Sequence, residues 1–216
     1  YGQEIQMDAT FAIWYNGEAK ALHLAVDKGT KKVLCGWFDE QETTRAYYIM
    51  LMNIIVNYGI PKKIKTDKRG TFSINNVKTK SKLNTTQFGR ICDDLEIQLH
   101  SSSDPLFKPN VERENKTFKG RLIAELRHEN ITDSISANDY LNNVFIPKIN
   151  ELFSYPVNPE KNDMRKNTYS FEELNVIISD KYSRKVDNAS SIKYEGKYYI
   201  PVDIETGEIL SYARNT

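Results

Sequence analysis

The strongest constraint on the fold is the order in which two periodicities follow one another along the chain. Alternating apolar and polar residues mark strands, and apolar residues recurring every three or four positions mark helices. Ile5-Gln6-Met7-Asp8-Ala9-Thr10-Phe11 alternates and runs through Trp14-Tyr15 to Asn16-Gly17, a hairpin signal because both residues tolerate positive φ. Lys20 to Val26 reads as a second strand, closed by Asp27-Lys28-Gly29-Thr30 with the glycine placed for the left-handed position. Lys32 to Phe38 is a third strand. Asp39-Glu40-Gln41-Glu42 then predicts a helix start whose acids complement the helix dipole. That helix carries Tyr47, Leu51, Ile54, Ile55 and Tyr58 on one face and ends at Gly59, with Pro61 behind it.

A short strand, Lys62–Thr66, leads into a polar loop from Ser73 to Asn84. Thr85-Thr86-Gln87-Phe88 opens a helix with Phe88, Ile91, Cys92 and Leu95 inward, and Ile97 to His100 is the fifth strand. Two helices follow, over about Asn110 to His128 and about Ala137 to Phe153. A three-strand meander followed by helix, strand, helix, strand, helix, helix predicts an α/β fold with a mixed five-stranded sheet flanked by helices. We expect this core to span residues 1–153. A linker with a short capped helix at Ser170-Phe171-Glu172-Glu173-Leu174 covers 154–185. An incomplete β-barrel-like module, turned by Glu195-Gly196 and Thr206-Gly207, covers 186–216.

A chain of 216 residues holds one catalytic-sized domain and a small appendage. The net charge is only +1, so bulk charge identifies no partner, but its distribution does. Between Pro61 and Arg90, Asp67 is the single acid among Lys62, Lys63, Lys65, Lys68, Arg69, Lys78, Lys80, Lys82 and Arg90, a footprint suited to nucleic acid. Cys35 and Cys92 have no metal-ligand spacing and read as buried thiols of a reduced, cytoplasmic protein. His23, His100 and His128 are scattered, which argues against a zinc site. The longest apolar run, Ile49 to Val56, is too short to span a membrane and is broken by Asn53. The chain opens at Tyr1 without a methionine, so we expect it to be a piece of a longer protein.

Three carboxylates stand in well-marked contexts. Asp8 interrupts a hydrophobic strand, where aspartate is disfavoured. Asp67 ends a strand before Lys68-Arg69-Gly70, at the carboxyl edge where α/β sheets gather ligands. The third lies at the start of the long helix, where Glu112 and Glu114 flank the stripe Val111, Phe118, Leu122 and Leu126 on opposite sides. Periodicity leaves these two tied. Glu112 shares its flank with Lys116 and Lys119, Glu114 with Arg121 and Glu125, and the lysines suit a phosphate backbone better. Carboxylates brought together from two strands and a helix start can hold a divalent metal pair for phosphoryl transfer.

These pieces together resemble the bacterial insertion-sequence transposases with a retroviral-integrase-type, RNase H-like core of the D-D-E kind. The resemblance is carried by Gln6-Met7-Asp8, by Gly59-Ile60-Pro61 with Lys65-Thr66-Asp67-Lys68-Arg69-Gly70-Thr71-Phe72, and by Lys108-Pro109-Asn110-Val111-Glu112-Arg113-Glu114-Asn115-Lys116-Thr117. It covers about Gln3 to Phe153, and Arg121-Leu122 and Ala137-Asn138 also fit. Pro109 departs from the glycine common after the lysine, and the Ser73–Asn84 loop lengthens the second spacing. The resemblance implies catalytic and metal-binding Asp8, Asp67 and Glu112, with Glu112 chosen over Glu114. It implies two Mg2+ (or Mn2+) ions, with Asp8 bridging them, and an empty site that is loose or partly protonated. DNA contacts are expected from Lys116, Lys119, Lys108, Lys68, Arg69, Lys78, Lys80 and Lys82. Partners would be transposon-end and target DNA and further copies of the chain, with no membrane, in the bacterial cytoplasm. End recognition would need an upstream helix-turn-helix region. A hydrolytic nuclease or resolvase, and a decayed remnant that only binds DNA, are the alternatives.

Overall fold

The computed structural model describes residues 1–68, 70, 72, 86–104 and 108–211. Five strands make one sheet in the order β3-β2-β1-β4-β5. β1 (Ile5–Ile13), β2 (Ala19–Asp27) and β3 (Val33–Asp39) form an antiparallel meander. β4 (Lys63–Thr66) pairs parallel to β1, and β5 (Gln98–Ser101) parallel to β4. α1 (Thr44–Tyr58) links β3 to β4, α2 (Gln87–Asp94) precedes β5, and α3 (Pro109–His128) follows it. Then come α4 (Ser134–Tyr140), a π-helical turn Leu141–Phe145, α5 (Ile146–Phe153) and α6 (Phe171–Ile177). The element order read from the periodicities is the one the chain adopts.

The pleat divides the core into two layers. Ile5 and Met7 point to one face with Ala25 and Ile64, against α1, α2 and the α6 region. Leu22, Leu24 and Val26 point to the other, against α3, α4 and α5. The free thiols Cys35 and Cys92 are both buried, and burial pushes the Cys35 thiol up to about 12.

Three local expectations change. At 27–32 the positive φ falls on Lys31 (59°), not on Gly29. The Asp27 carboxylate bends the chain instead, accepting from Thr30 N at 2.8 Å, Thr30 Oγ1 at 2.7 Å and Gly2 N at 2.8 Å. α1 begins after Thr43, whose hydroxyl accepts from Ala46 N at 3.1 Å, so the acids at 39–42 precede the helix rather than fill its first turn. They pair elsewhere: Asp39 accepts from the Thr43 hydroxyl at 2.6 Å, and Glu40 holds Lys20. Lastly, β1 stops at Ile13, because Trp14 and Tyr15 turn inward to pack on Phe38.

The outer edge of β3 is closed by asparagine side chains. Asn138 accepts from Phe38 N (2.7 Å) and donates to Phe38 O (3.3 Å). Asn142 does the same with Gly36 (3.1 and 2.9 Å), and Asn150 with Val33 (2.8 and 2.8 Å). Four helical residues rise about 6 Å and two strand residues about 6.6 Å, so the first two amides match alternate strand positions. Eight residues of ideal α-helix would leave Asn150 about 80° from Asn142, and one residue absorbed by the wider π turn brings it within about 20°. That is why the predicted single helix from Ala137 to Phe153 is interrupted.

Contacts divide the chain into two units, Tyr1–Ser179 and Asp180–Thr216. Residues 154–179 belong to the first. Arg165 bridges Ile60, Asp163 N donates to Tyr1 O, and Leu174 and Ile178 enter the core beside α1. The expected short capped helix is α6, and its cap is a capping box of Ser170 and Glu173. In the second unit β6 (Ile192–Tyr194) and β7 (Lys197–Tyr199) form a hairpin turned by Glu195 and Gly196, both at positive φ.

Candidate active site

The site begins with an anomaly in β1. Alternation places Glu4, Gln6 and Asp8 on the face opposite Ile5 and Met7, and that face is covered too. A buried polar stripe on a central strand is costly unless every group is paired. The partners come mainly from α3, whose start offers no side-chain cap and has Pro109 in its first turn. The fully buried Gln6 supplies the cap from the strand: its Oε1 accepts from Asn110 N at 3.0 Å and Val111 N at 3.3 Å. Glu4 meets Lys65 at 3.2 Å and Lys28 at 3.4 Å, and these lysines hold its carboxyl below the usual range against the opposing push of burial.

Asp8 is engaged on both oxygens. Lys108 Nζ donates to Oδ1 at 2.6 Å and Asn115 Nδ2 to Oδ2 at 2.9 Å. Lys108 is the residue just before α3 and Asn115 lies in its second turn, with Glu112 between them in the first turn. The register of β1 with β4 pairs Ile5 with Ile64 and Gln6 with Lys65. β4 ends at Thr66, and the same register continued past its end would bring Asp67 level with Asp8. Lys65 reaches Glu4, so that face of β4 is the face of Asp8, and Asp67 follows at the next same-face position. Tyr47 of α1 senses both. Its phenol is raised well above its usual range, first by burial, then by its hydrogen-bond acceptor Glu42 (2.8 Å), and then by Asp8 and Asp67.

The two glutamates tied by periodicity differ in burial. Glu112 is half-buried near the Asp8 donors, whereas Glu114 is buried and its Oε2 has no hydrogen-bond partner among the described residues. Burial raises the Glu114 carboxyl, with Arg113 and Lys31 pulling it back. Among the described residues no three His, Cys, Asp or Glu side chains close to the spacing of a metal's ligand shell. Asp8 is instead turned onto an ammonium ion. The donor set nevertheless suits a hard divalent cation, being all carboxylate oxygen, and Asp8 already holds a positive charge.

Lys116, Lys119 and Lys68 are exposed. Lys108, grouped with them on sequence, is buried against Asp8. Arg69, Lys78, Lys80 and Lys82 lie outside the described residues. Sequence reasoning passed over Gln6 and Asn115 as site residues. Their signals were positional: Gln6 precedes Asp8 by one strand period, and Asn115 follows Glu112 by about one helical turn.

No family model matches the chain. Over 217 aligned residues it is 37% identical to the transposase for insertion sequence IS1202 of Streptococcus pneumoniae, covering 100% of this chain and 45% of that protein. A transposase of Sinorhizobium fredii is 28% identical over 167 residues, covering 76% of this chain and 35% of that protein. The chain therefore spans less than half the length of these relatives. Among solved structures it is similar to the simian T-cell lymphotropic virus intasome with the PP2A subunit B56 gamma (TM-score 0.51, 21% identity, 81% of this chain and 54% of that one). It is also similar to the HTLV-2 integrase catalytic core domain in complex with magnesium, in its dimeric form (TM-score 0.50, 21% identity, 75% and 93%). These likenesses show an RNase H-like fold.

Proposed function

From its membership among bacterial insertion-sequence transposases with a retroviral-integrase-type core, we propose that this chain is the catalytic part of a DNA transposase. Asp8, Asp67 and Glu112 are its catalytic carboxylates. The observation that supports this most is the joint anchoring of Asp8 and the helix that carries Glu112. One strand face caps α3 through Gln6 and binds it through Asp8, and Asp67 directly follows the neighbouring parallel strand β4.

Asp8, Asp67 and Glu112 would hold two Mg2+ or Mn2+ ions. When bound, such a pair supplies Lewis-acid activation of the attacking oxygen and stabilisation of the leaving oxygen. The chain's own contribution is positional. β1 and β4 fix two carboxylates at one sheet position, Gln6 fixes the helix that bears the third, and the exposed Lys116 and Lys119 hold the phosphate backbone one and two turns on. Lys68 adds sequence-independent attraction. Water would first attack the phosphodiester at a transposon end and release a 3′-hydroxyl, which would then attack a target phosphodiester. Two ends must be joined in concert, so the working form is an oligomer on DNA in the bacterial cytoplasm. Among the described residues no helix is long and apolar enough to cross a membrane.

The test is joining of a labelled duplex with a free 3′-hydroxyl to a plasmid in Mn2+. We expect joined product from the wild type and none from Asp8→Asn, Asp67→Asn or Glu112→Gln. Hydrolysis without joining would favour a nuclease instead. Full activity in the Asp8→Asn variant would remove the catalytic assignment.

A further inference from the structure

We propose that Lys108 is an internal counter-cation of Asp8, holding its carboxylate in the metal-free protein and leaving it when a divalent ion binds. The inference rests on the reading of Asp8 as a metal ligand. Lys108 Nζ lies 2.6 Å from Asp8 Oδ1, with the lysine side chain only 6% exposed and the aspartate 15%. The other oxygen is taken by Asn115. A carboxylate this enclosed needs a positive partner, and the structure provides one from the chain itself.

That partner and a metal ion exclude each other. A Mg2+ ion would sit about 2.1 Å from the oxygen it ligates, which puts it about 4 Å from an ammonium on the same oxygen. Like charges at that distance in a poorly hydrated site repel strongly. Lys108 can leave without disturbing the helix that carries Glu112. Its backbone (φ −128°, ψ 50°) lies outside helical geometry, and the helix start is held by Gln6. Turning the lysine side chain therefore opens Asp8 while α3 stays in place. The freed ammonium can then turn to a phosphate bound at the site, which would couple metal loading to DNA engagement through one side chain.

The experiment measures Mn2+ binding by the electron paramagnetic resonance signal of the free ion, without DNA. Wild type, Lys108→Met, Lys108→Arg and Asp8→Asn are compared. Lys108→Met should bind about tenfold more tightly than wild type, Lys108→Arg should remain weak, and Asp8→Asn should lose the site. A second readout needs no variant. Reductive methylation of the Lys108 amine in the wild type, mapped by mass spectrometry, should be slow without metal and several-fold faster with Mn2+. Equal affinity of Lys108→Met and wild type, with binding still lost in Asp8→Asn, overturns the counter-cation alone. If Lys108→Met does not fold, a methylation rate insensitive to Mn2+ overturns it. Binding that survives unchanged in Asp8→Asn overturns the metal-ligand reading itself, and the counter-cation with it.

Discussion

The outer edge of β3 and the inner face of β1 solve one problem in opposite directions. At β3, side chains of a helix satisfy the backbone of a strand: three asparagines each pair with both the N–H and the C=O of one residue. At β1, side chains of a strand satisfy a helix: Gln6 caps the α3 backbone, and Asp8 receives donors from Lys108, just before α3, and from Asn115 within it. The β3 arrangement is repetitive and gives each amide the same task. It closes a sheet edge that would otherwise be a template for another strand. The β1 arrangement is not repeated, and each member has a different partner. The redundant pairing closes an edge, whereas the unrepeated pairing gathers different partners around one carboxylate.

The comparison breaks if variants in the two regions behave alike. The largest effect is expected from Asp8→Asn: cleavage and joining should fall on the order of 10³-fold, about 4 kcal/mol of barrier, with the circular dichroism spectrum unchanged. Gln6→Leu should come next. It leaves the buried Val111 N–H and the half-buried Asn110 N–H without acceptors, so urea unfolding should show a loss of about 2 kcal/mol, and joining should fall with it because Glu112 loses its anchor. Asn142→Ala should cost about 1–2 kcal/mol by the same assay. Activity per folded molecule should stay at the wild-type level, and light scattering should show more self-association through the opened edge.

Glu114→Gln sharpens the comparison with the smallest effect. Glu114 is a buried carboxylate whose Oε2 lacks a partner among the described residues, and burial raises it. From its ordinary value up to the raised one, the folded chain keeps a proton that the unfolded chain has released. Stability therefore falls as pH rises through that window, and the penalty is full above it. The glutamine variant should be about 1 kcal/mol more stable at neutral pH. Thermal melts should show that advantage shrinking as the pH is lowered towards the ordinary carboxylate range.

Much of the fold was legible because it rests on local pattern. The alternation in β1, the helical stripe ending at Gly59, and the cap at Ser170 with Glu173 all act within a few residues. The departures have longer-range causes. Trp14 and Tyr15 leave β1 because Phe38 offers them a packing surface. The helix after Asn130 takes a π turn because its asparagines must stay in phase with β3.

The same division holds at the site. Residue types and spacing alone determined that this chain builds a mixed α/β sheet with acids at Asp8 and Asp67 and a glutamate at the start of a long helix. Periods of 2 and 3.6 residues are properties of the backbone and need no tertiary partner. Tertiary structure alone decided that Gln6 caps α3, that Asn115 and Lys108 close on Asp8, and that Glu114 is buried while Glu112 is not. Those outcomes depend on which helix covers which face of β1, across about 100 residues of intervening chain. A sequence pattern fixes the direction of a side chain relative to its own strand or helix. The group it meets there is set by packing.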